Sequence, residues 1–140
     1  MDLSGLSDRK TMLFVKGLIE NEGEWLLVRR SETAPRRALE WDFPGGEADD
    51  HDNPVAEVQR EVQEETGLAV SNIELKYATT RSIADRKVIF LFYTMQSDDR
   101  DVELSYEHDQ STWVSAQELP QLNTFELHQE AVRFIFDITL

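Results

Sequence analysis

The chain has 140 residues, with 28 Asp and Glu against 14 Lys and Arg, a formal net charge of −14. At 40% hydrophobic it can build a core, since a chain of about 150 residues removes roughly 70% of its unfolded surface from water. The absence of cysteine excludes disulfides, thiolate zinc, iron–sulfur clusters and a Cys nucleophile, and a pI near 4.5 argues against duplex nucleic acid as a partner.

No apolar run approaches the ~20 residues of a membrane helix, and the acidic N-terminus has no apolar signal core, so a cytoplasmic protein without a membrane partner is expected. Residues 11–19 and 25–30 are β-branched and apolar, and the turn-forming Glu20-Asn21-Glu22-Gly23 between them predicts a β-hairpin. Residues 30–40 are polar with Pro35 and read as a loop. Glu40-Trp41-Asp42-Phe43 is short and aromatic and is broken by Pro44-Gly45-Gly46, after which 46–53 is polar and irregular. A helix is predicted from Asn53, an N-cap with Pro54 at the first helical position, to Gly67, a left-handed C-terminal stop. Further strands are expected at 73–79, 87–96 and 112–114, and a second helix at 125–136. One α/β (α+β) domain over 1–140, a mixed sheet with helices packed on it, accounts for this order.

Half of the net charge lies between Glu47 and Glu65, where eight carboxylates accompany one arginine, Arg60. At about 100° per residue, Glu57, Glu61, Glu64 and Glu65 fall within a sector of about 100°, beside a stripe of Val55, Val58 and Val62 that should face the core. Like charges spaced i,i+4 destabilise a helix by a few tenths of a kcal/mol each, so the face needs a partner. Either it is a solvated surface or it binds a hard divalent cation, which takes clustered oxygen ligands. Just upstream, Arg29, Arg30, Arg36 and Arg37 form a short basic stretch that suits phosphates, or simply solubility.

The run Gly46, Asp52, Arg60-Glu61-Val62, Glu64-Glu65, Gly67-Leu68 resembles the Nudix box: a glycine, five residues, Glu, seven residues, then Arg-Glu-apolar-x-Glu-Glu-x-Gly-apolar. Eight of its nine specified positions match at the family's spacing, Asp52 standing where the family has Glu, and His51 replaces a common glycine. Trp41-Asp42-Phe43-Pro44-Gly45-Gly46 is similar to the family's lead-in. The resemblance implies a mixed sheet sandwiched between helices and hydrolysis of a nucleoside diphosphate linked to another moiety, with Mg²⁺ or Mn²⁺. It further implies that Glu61, Glu64, Glu65 and the Gly45 carbonyl hold metal, that Arg60 orients Glu61, and that Glu61 or a downstream acid activates water. Tyr106-Glu107-His108 resembles the segment supplying that further carboxylate, which makes Glu107 the candidate.

Candidate substrate contacts are Arg29 and Arg37 for distal phosphates, Trp41 or Phe43 for stacking on a base, and Asn123 for reading its edge. The three histidines, His51, His108 and His128, are too scattered for a zinc set and are expected to be exposed. The leading expectation is a nucleoside triphosphate pyrophosphohydrolase, with oxidised dGTP among its candidate substrates. Alternatives are an ADP-ribose, nucleotide-sugar or dinucleoside polyphosphate pyrophosphatase, and a non-catalytic nucleotide-sensing module. Homodimers are common among such proteins.

Overall fold

The computed structural model describes residues 10–48, 53–122, 124 and 126–137. In chain order the elements are strands β1 (Thr11–Asn21), β2 (Glu24–Arg30), β3 (Trp41–Asp42) and β4 (Gly45–Glu47), helix α1 (Pro54–Thr66), strands β5 (Val70–Ile83), β6 (Arg86–Ser97) and β7 (His108–Val114), a 3₁₀ segment (Ala116–Gln121) and helix α2 (Glu126–Phe136). The expected elements are present, and their partners are more involved than a simple hairpin.

β1 and β2 are joined by Glu22 and Gly23, both at positive φ (51° and 80°), the conformation a two-residue hairpin turn requires. They pair only next to that turn, at Glu20 with Trp25 and Asn21 with Glu24. Beyond it the strands diverge. β1 runs parallel to β6 over its length, whereas β2 runs antiparallel to β7. The chain between Trp41 and Glu47 fills the gap: β3 pairs with β2, the chain crosses at Pro44, whose carbonyl accepts the Gly17 N–H at 2.8 Å, and β4 pairs with β1. Gly45-Gly46-Glu47 is therefore a strand where the glycines predict a break. Gly45 sits at φ 147°, and a Cβ there would lie 1.9 Å from the Val15 carbonyl oxygen, so only glycine fits this crossing.

Alternation along β1 divides the core between two faces. Met12, Phe14 and Leu18 join Phe43, Phe90, Phe92, Leu119, Leu127 and Ala131 on the α2 side. Val15 and Ile19 join Leu26, Val28, Val58, Val62 and Leu68 on the α1 side. The sheet thus lies between the two helices, as expected. β5 and β6 are longer than predicted and meet at Ala84 and Asp85, again both at positive φ. β7 begins four residues earlier than predicted, because its polar first half, His108 to Ser111, is recruited by the edge of β2 rather than by any apolar pattern of its own.

α1 starts and stops where its caps predict. The Asn53 side chain accepts the Val55 N–H at 2.9 Å, and Gly67 closes the helix at φ 75°. Val58 and Val62 are fully buried, but Val55 is 40% exposed, because the first turn projects past the sheet. Among the described residues no helix is long and apolar enough to cross a membrane.

Two histidines expected at the surface are inside. His108 and His128 are 5% and 1% exposed, His108 because β7 pairs inward on β2 and His128 because it lies on the core face of α2. His51 lies outside the described residues. Burial pushes the His128 imidazole down to about 3, Asp42 opposing that and Lys16, Arg37 and Arg30 reinforcing it. The folded state keeps His128 neutral while the unfolded chain binds a proton below about pH 6.5, so its contribution is complete above that pH and is lost as the pH falls towards 3. Wild type is therefore expected to lose about 2 kcal/mol more unfolding free energy between pH 7 and pH 5 than His128→Leu does. Urea titrations at the two pH values measure this, and equal losses would refute it.

Candidate active site

The carboxylates of α1 do not form one uniform face. Glu57 and Glu65 are buried (1% and 4% exposed), whereas the Glu64 side chain is half exposed. Arg60 supplies the partner that the like-charge spacing demands: its guanidinium donates to Glu57, to Glu64 at 2.6 Å and to Glu61 at 3.2 Å. These contacts hold the guanidinium above its ordinary range. The Glu61 oxygen that accepts from Arg60 also lies against β4. A Cβ on Gly46 would come within 3.3 Å of Glu61 Oε1, so the glycine leaves room for the carboxylate.

Glu65 reaches below the sheet crossing, where its Oε2 accepts the Gly45 N–H at 2.8 Å. Burial raises its pKa well above the usual carboxylate value, Lys16 and the Gly45 N–H opposing and Glu61 and Glu107 reinforcing the shift. Glu61 is raised too, by burial first; Arg60 lowers it, and Glu64, Glu57 and Glu107 add to the rise. Several carboxylates facing one another in this way are the expected condition of a cation-binding cluster.

Glu107 arrives from a distant loop. The Glu103 N–H donates to the Thr66 carbonyl at 2.9 Å and the Ser105 N–H to the Glu65 carbonyl at 3.4 Å, which fastens the loop to the C-terminal end of α1. The Ser31 N–H donates to the Glu107 carbonyl at 3.0 Å and fastens it to the end of β2. Glu65, Glu107 and His108 each present a ligand atom within 4.8 Å of the other two. His108 is held down to about 4 by burial, with Asp42 and Asp109 opposing and Lys16 and Arg30 reinforcing the shift.

A cleft of about 360 Å³ opens in front of these groups. It is lined by Gly45, Gly46, Glu61 and Glu107, by Arg30 at the end of β2 and Arg36 and Arg37 of the loop that follows, and by Phe14 and Phe90. The two phenylalanine rings are stacked, with centroids 5.1 Å apart. Tyr106, 89% exposed, stands at the mouth.

Arg30 and Arg37 also belong to a buried ionic cluster that no sequence signal revealed. Asp42, 1% exposed, accepts from Lys16 Nζ at 3.1 Å through both oxygens and from the Phe43 N–H at 2.8 Å. His128 Nε2 is 3.2 Å away, Arg37 3.5 Å and Arg30 3.7 Å. Burial would raise the Asp42 pKa, but the surrounding cations, Lys16 foremost, outweigh it and hold the carboxyl below its ordinary range. Lys16 is lowered, chiefly by burial, against the pull of Asp42. Arg30 and Arg37 thus present to the cleft from a fixed anchor.

The candidate substrate contacts divide accordingly. Arg37 lines the cleft; Arg29 lies on the β2–β7 surface and pairs with Asp109 through two hydrogen bonds of 2.9 and 3.0 Å. Trp41 packs half-buried against the α2-side core, and Phe43 is 1% exposed within that core, edge-on to the His128 ring. Phe43 is about as buried as Phe14 and Phe90, each 3% exposed, which with Tyr106 are the aromatics that line the cleft. Asn123 and Asp52 lie outside the described residues.

The family model described as the NUDIX domain matches residues 11–136, nearly the whole chain. The chain belongs to the Nudix family. An 8-oxo-dGTP diphosphatase of Haemophilus influenzae is 28% identical over 128 residues, covering 87% of this chain and 93% of that protein. The asymmetrical bis(5'-nucleosyl)-tetraphosphatase of Rattus norvegicus is 30% identical over 111 residues, 74% of this chain and 71% of that protein. The crystal structure of the MutT protein from Methanosarcina mazei superposes with a TM-score of 0.80 at 30% identity, over 94% of this chain and 96% of that one. This Nudix protein is therefore a hydrolase of the pyrophosphohydrolase type, a family that generally needs a divalent metal.

Proposed function

We propose that this Nudix hydrolase converts a nucleoside triphosphate, with oxidised dGTP the foremost candidate, into the monophosphate and pyrophosphate. The observation that supports the reading is one cleft lined by carboxylates, by arginines and by a stacked phenylalanine pair. A triphosphate needs cationic contacts along its phosphates, a catalytic centre at one phosphorus and an apolar surface for its base, and the cleft offers all three in a space suited to one nucleotide.

The donor set fits a divalent cation. Glu61, Glu65 and Glu107 would supply carboxylate oxygens and Gly45 a backbone carbonyl, while Glu64 is held at the exposed edge by Arg60. When bound, the cation neutralises these carboxylates, polarises a phosphoryl oxygen and makes a bound water more acidic. Glu61 accepts the proton as the water oxygen bonds to phosphorus and the bridging P–O bond breaks; Glu107 is the alternative acceptor. Arg60 holds Glu61 in position, and Arg30, Arg36 and Arg37 bind the phosphates, guanidinium groups being suited to bidentate contacts. Phe14 and Phe90, with Tyr106 at the mouth, receive the base.

A second reading, hydrolysis of a dinucleoside polyphosphate, has support from the rat relative, 30% identical. A hydrolysis screen separates them: deoxynucleoside triphosphates, 8-oxo-dGTP, ADP-ribose and diadenosine tetraphosphate, each with Mg²⁺, with Mn²⁺ and with EDTA. Release of pyrophosphate from a triphosphate, abolished by EDTA, is expected. Faster cleavage of diadenosine tetraphosphate would favour the second reading, and tight nucleotide binding with no turnover on any substrate would favour a sensor.

A further inference from the structure

Reading the acid cluster as the metal centre leaves one buried group beside it unexplained. The His108 side chain is 2% exposed, and its Nδ1 is buried without a hydrogen-bond partner among the described residues. That nitrogen faces Glu65, with Oε1 3.8 Å away, too far for a hydrogen bond. The separation has a different meaning for ligands of one ion. Bonds of about 2.1 Å meeting at angles of about 90–130° place two donor atoms about 3.0–3.8 Å apart. Glu107, the adjacent residue, brings a third ligand atom within the same 4.8 Å.

A buried imidazole nitrogen left unpaired at the edge of an acidic cluster is best satisfied by a cation shared with those acids, since an orphaned polar atom in the interior is unfavourable. The backbone fixes the arrangement from both sides. His108 pairs with Arg30 across β2 and β7 at the point where the register shifts, and its own N–H donates to the Ser105 carbonyl at 3.3 Å. Ser105 is in turn tied to the Glu65 carbonyl, so the imidazole and the Glu65 carboxylate are positioned by one short strap.

We propose that His108 contributes its Nδ1 as a nitrogen ligand, with Glu65 and Glu107, so that this centre takes Mn²⁺ or a similar first-row transition ion in preference to Mg²⁺. Oxygen ligands alone suit Mg²⁺ well; an imidazole among them favours the transition ions. This inference rests on the acid cluster being the metal centre, and its test separates the two.

The protein is loaded with Mn²⁺, and binding is followed by electron paramagnetic resonance, with electron spin-echo modulation to detect nitrogen bonded to the ion. Wild type is expected to show modulation from directly coordinated ¹⁴N that changes to the ¹⁵N pattern when the histidines are ¹⁵N-labelled. The same signal should persist in His51→Ala and vanish in His108→Phe, whose Mn²⁺ affinity should fall about 10–100-fold while Mg²⁺ affinity changes much less. If His108→Phe does not fold, the labelled protein carrying both His51→Ala and His128→Leu, in which His108 is the one histidine left, decides the matter. Mn²⁺ bound without coordinated nitrogen overturns the role of His108 and leaves the carboxylate centre standing. Failure of wild type to bind Mn²⁺ at all overturns both.

Discussion

Glu65→Gln is expected to lower kcat by at least about a hundredfold, a barrier increase of about 3 kcal/mol, whereas Glu64→Gln should lose less than about tenfold. The two residues are adjacent in a motif that treats them alike, but the helix separates them. Glu65 is buried, grips the Gly45 N–H and faces the cluster formed with Glu107; Glu64 projects to the solvent side and pairs with Arg60. A glutamine at 65 can still accept the Gly45 N–H through its amide oxygen, so the fold should survive while the anionic ligand is lost. Steady-state rates with Mg²⁺ and with Mn²⁺, beside a thermal melt of each variant, measure the contrast. Equal losses, or a greater loss at Glu64, would refute this division of roles.

Asp42→Ala should destabilise the fold by about 3–5 kcal/mol, the usual consequence of removing one partner from a buried ion pair. The variant leaves the Lys16 ammonium beneath the sheet with only the Phe43 carbonyl, at 3.2 Å, among the contacts described. It also releases Arg30 and Arg37 from their anchor, so the surviving folded fraction should show a raised KM. Charge, rather than volume, carries the effect. Lys16→Met combined with Asp42→Leu removes both ions and should therefore be less destabilising than Asp42→Ala alone. Urea denaturation of the two variants gives the comparison, and an Asp42→Ala protein within 1 kcal/mol of wild type would refute the cluster's importance.

The parts of this molecule that could be read in the sequence are those whose determinants are local. Asn53-Pro54 and Gly67 mark both ends of α1 because capping involves neighbouring backbone groups. Arg60, Glu61 and Glu65 come together because one helix has a fixed period, while the roles given to them are implied by the resemblance to the Nudix box. The parts that escaped depend on pairing at long range. Nothing near Lys16 in the chain distinguishes it from a surface lysine, since Asp42 and His128 reach it from β3 and α2. Phe14 and Phe90 are core residues, each 3% exposed, and they line the cleft because β1 and β6 pair side by side. His108 sits in a polar stretch whose burial comes from β2. Trp41 and Phe43 are both aromatics beside a turn, and only the crossing of the chain at Pro44 decides that Phe43 goes fully inward.

The divergence of β1 from β2 has a consequence for how such a molecule can change. The helix with its carboxylates and the glycine strand β4 hang on the β1 side, whereas the loop bearing Arg36 and Arg37 hangs between β2 and β3. The two sets share a cleft but few determinants of folding. Replacements among residues 32–36, which leave the Ser31 N–H on the Glu107 carbonyl and the Arg37–Asp42 pair in place, can therefore alter which nucleotide is admitted without disturbing the groups that cut it. Substrate preference becomes a replaceable attachment to a fixed reaction, and new specificities are open to this scaffold through changes in one surface loop.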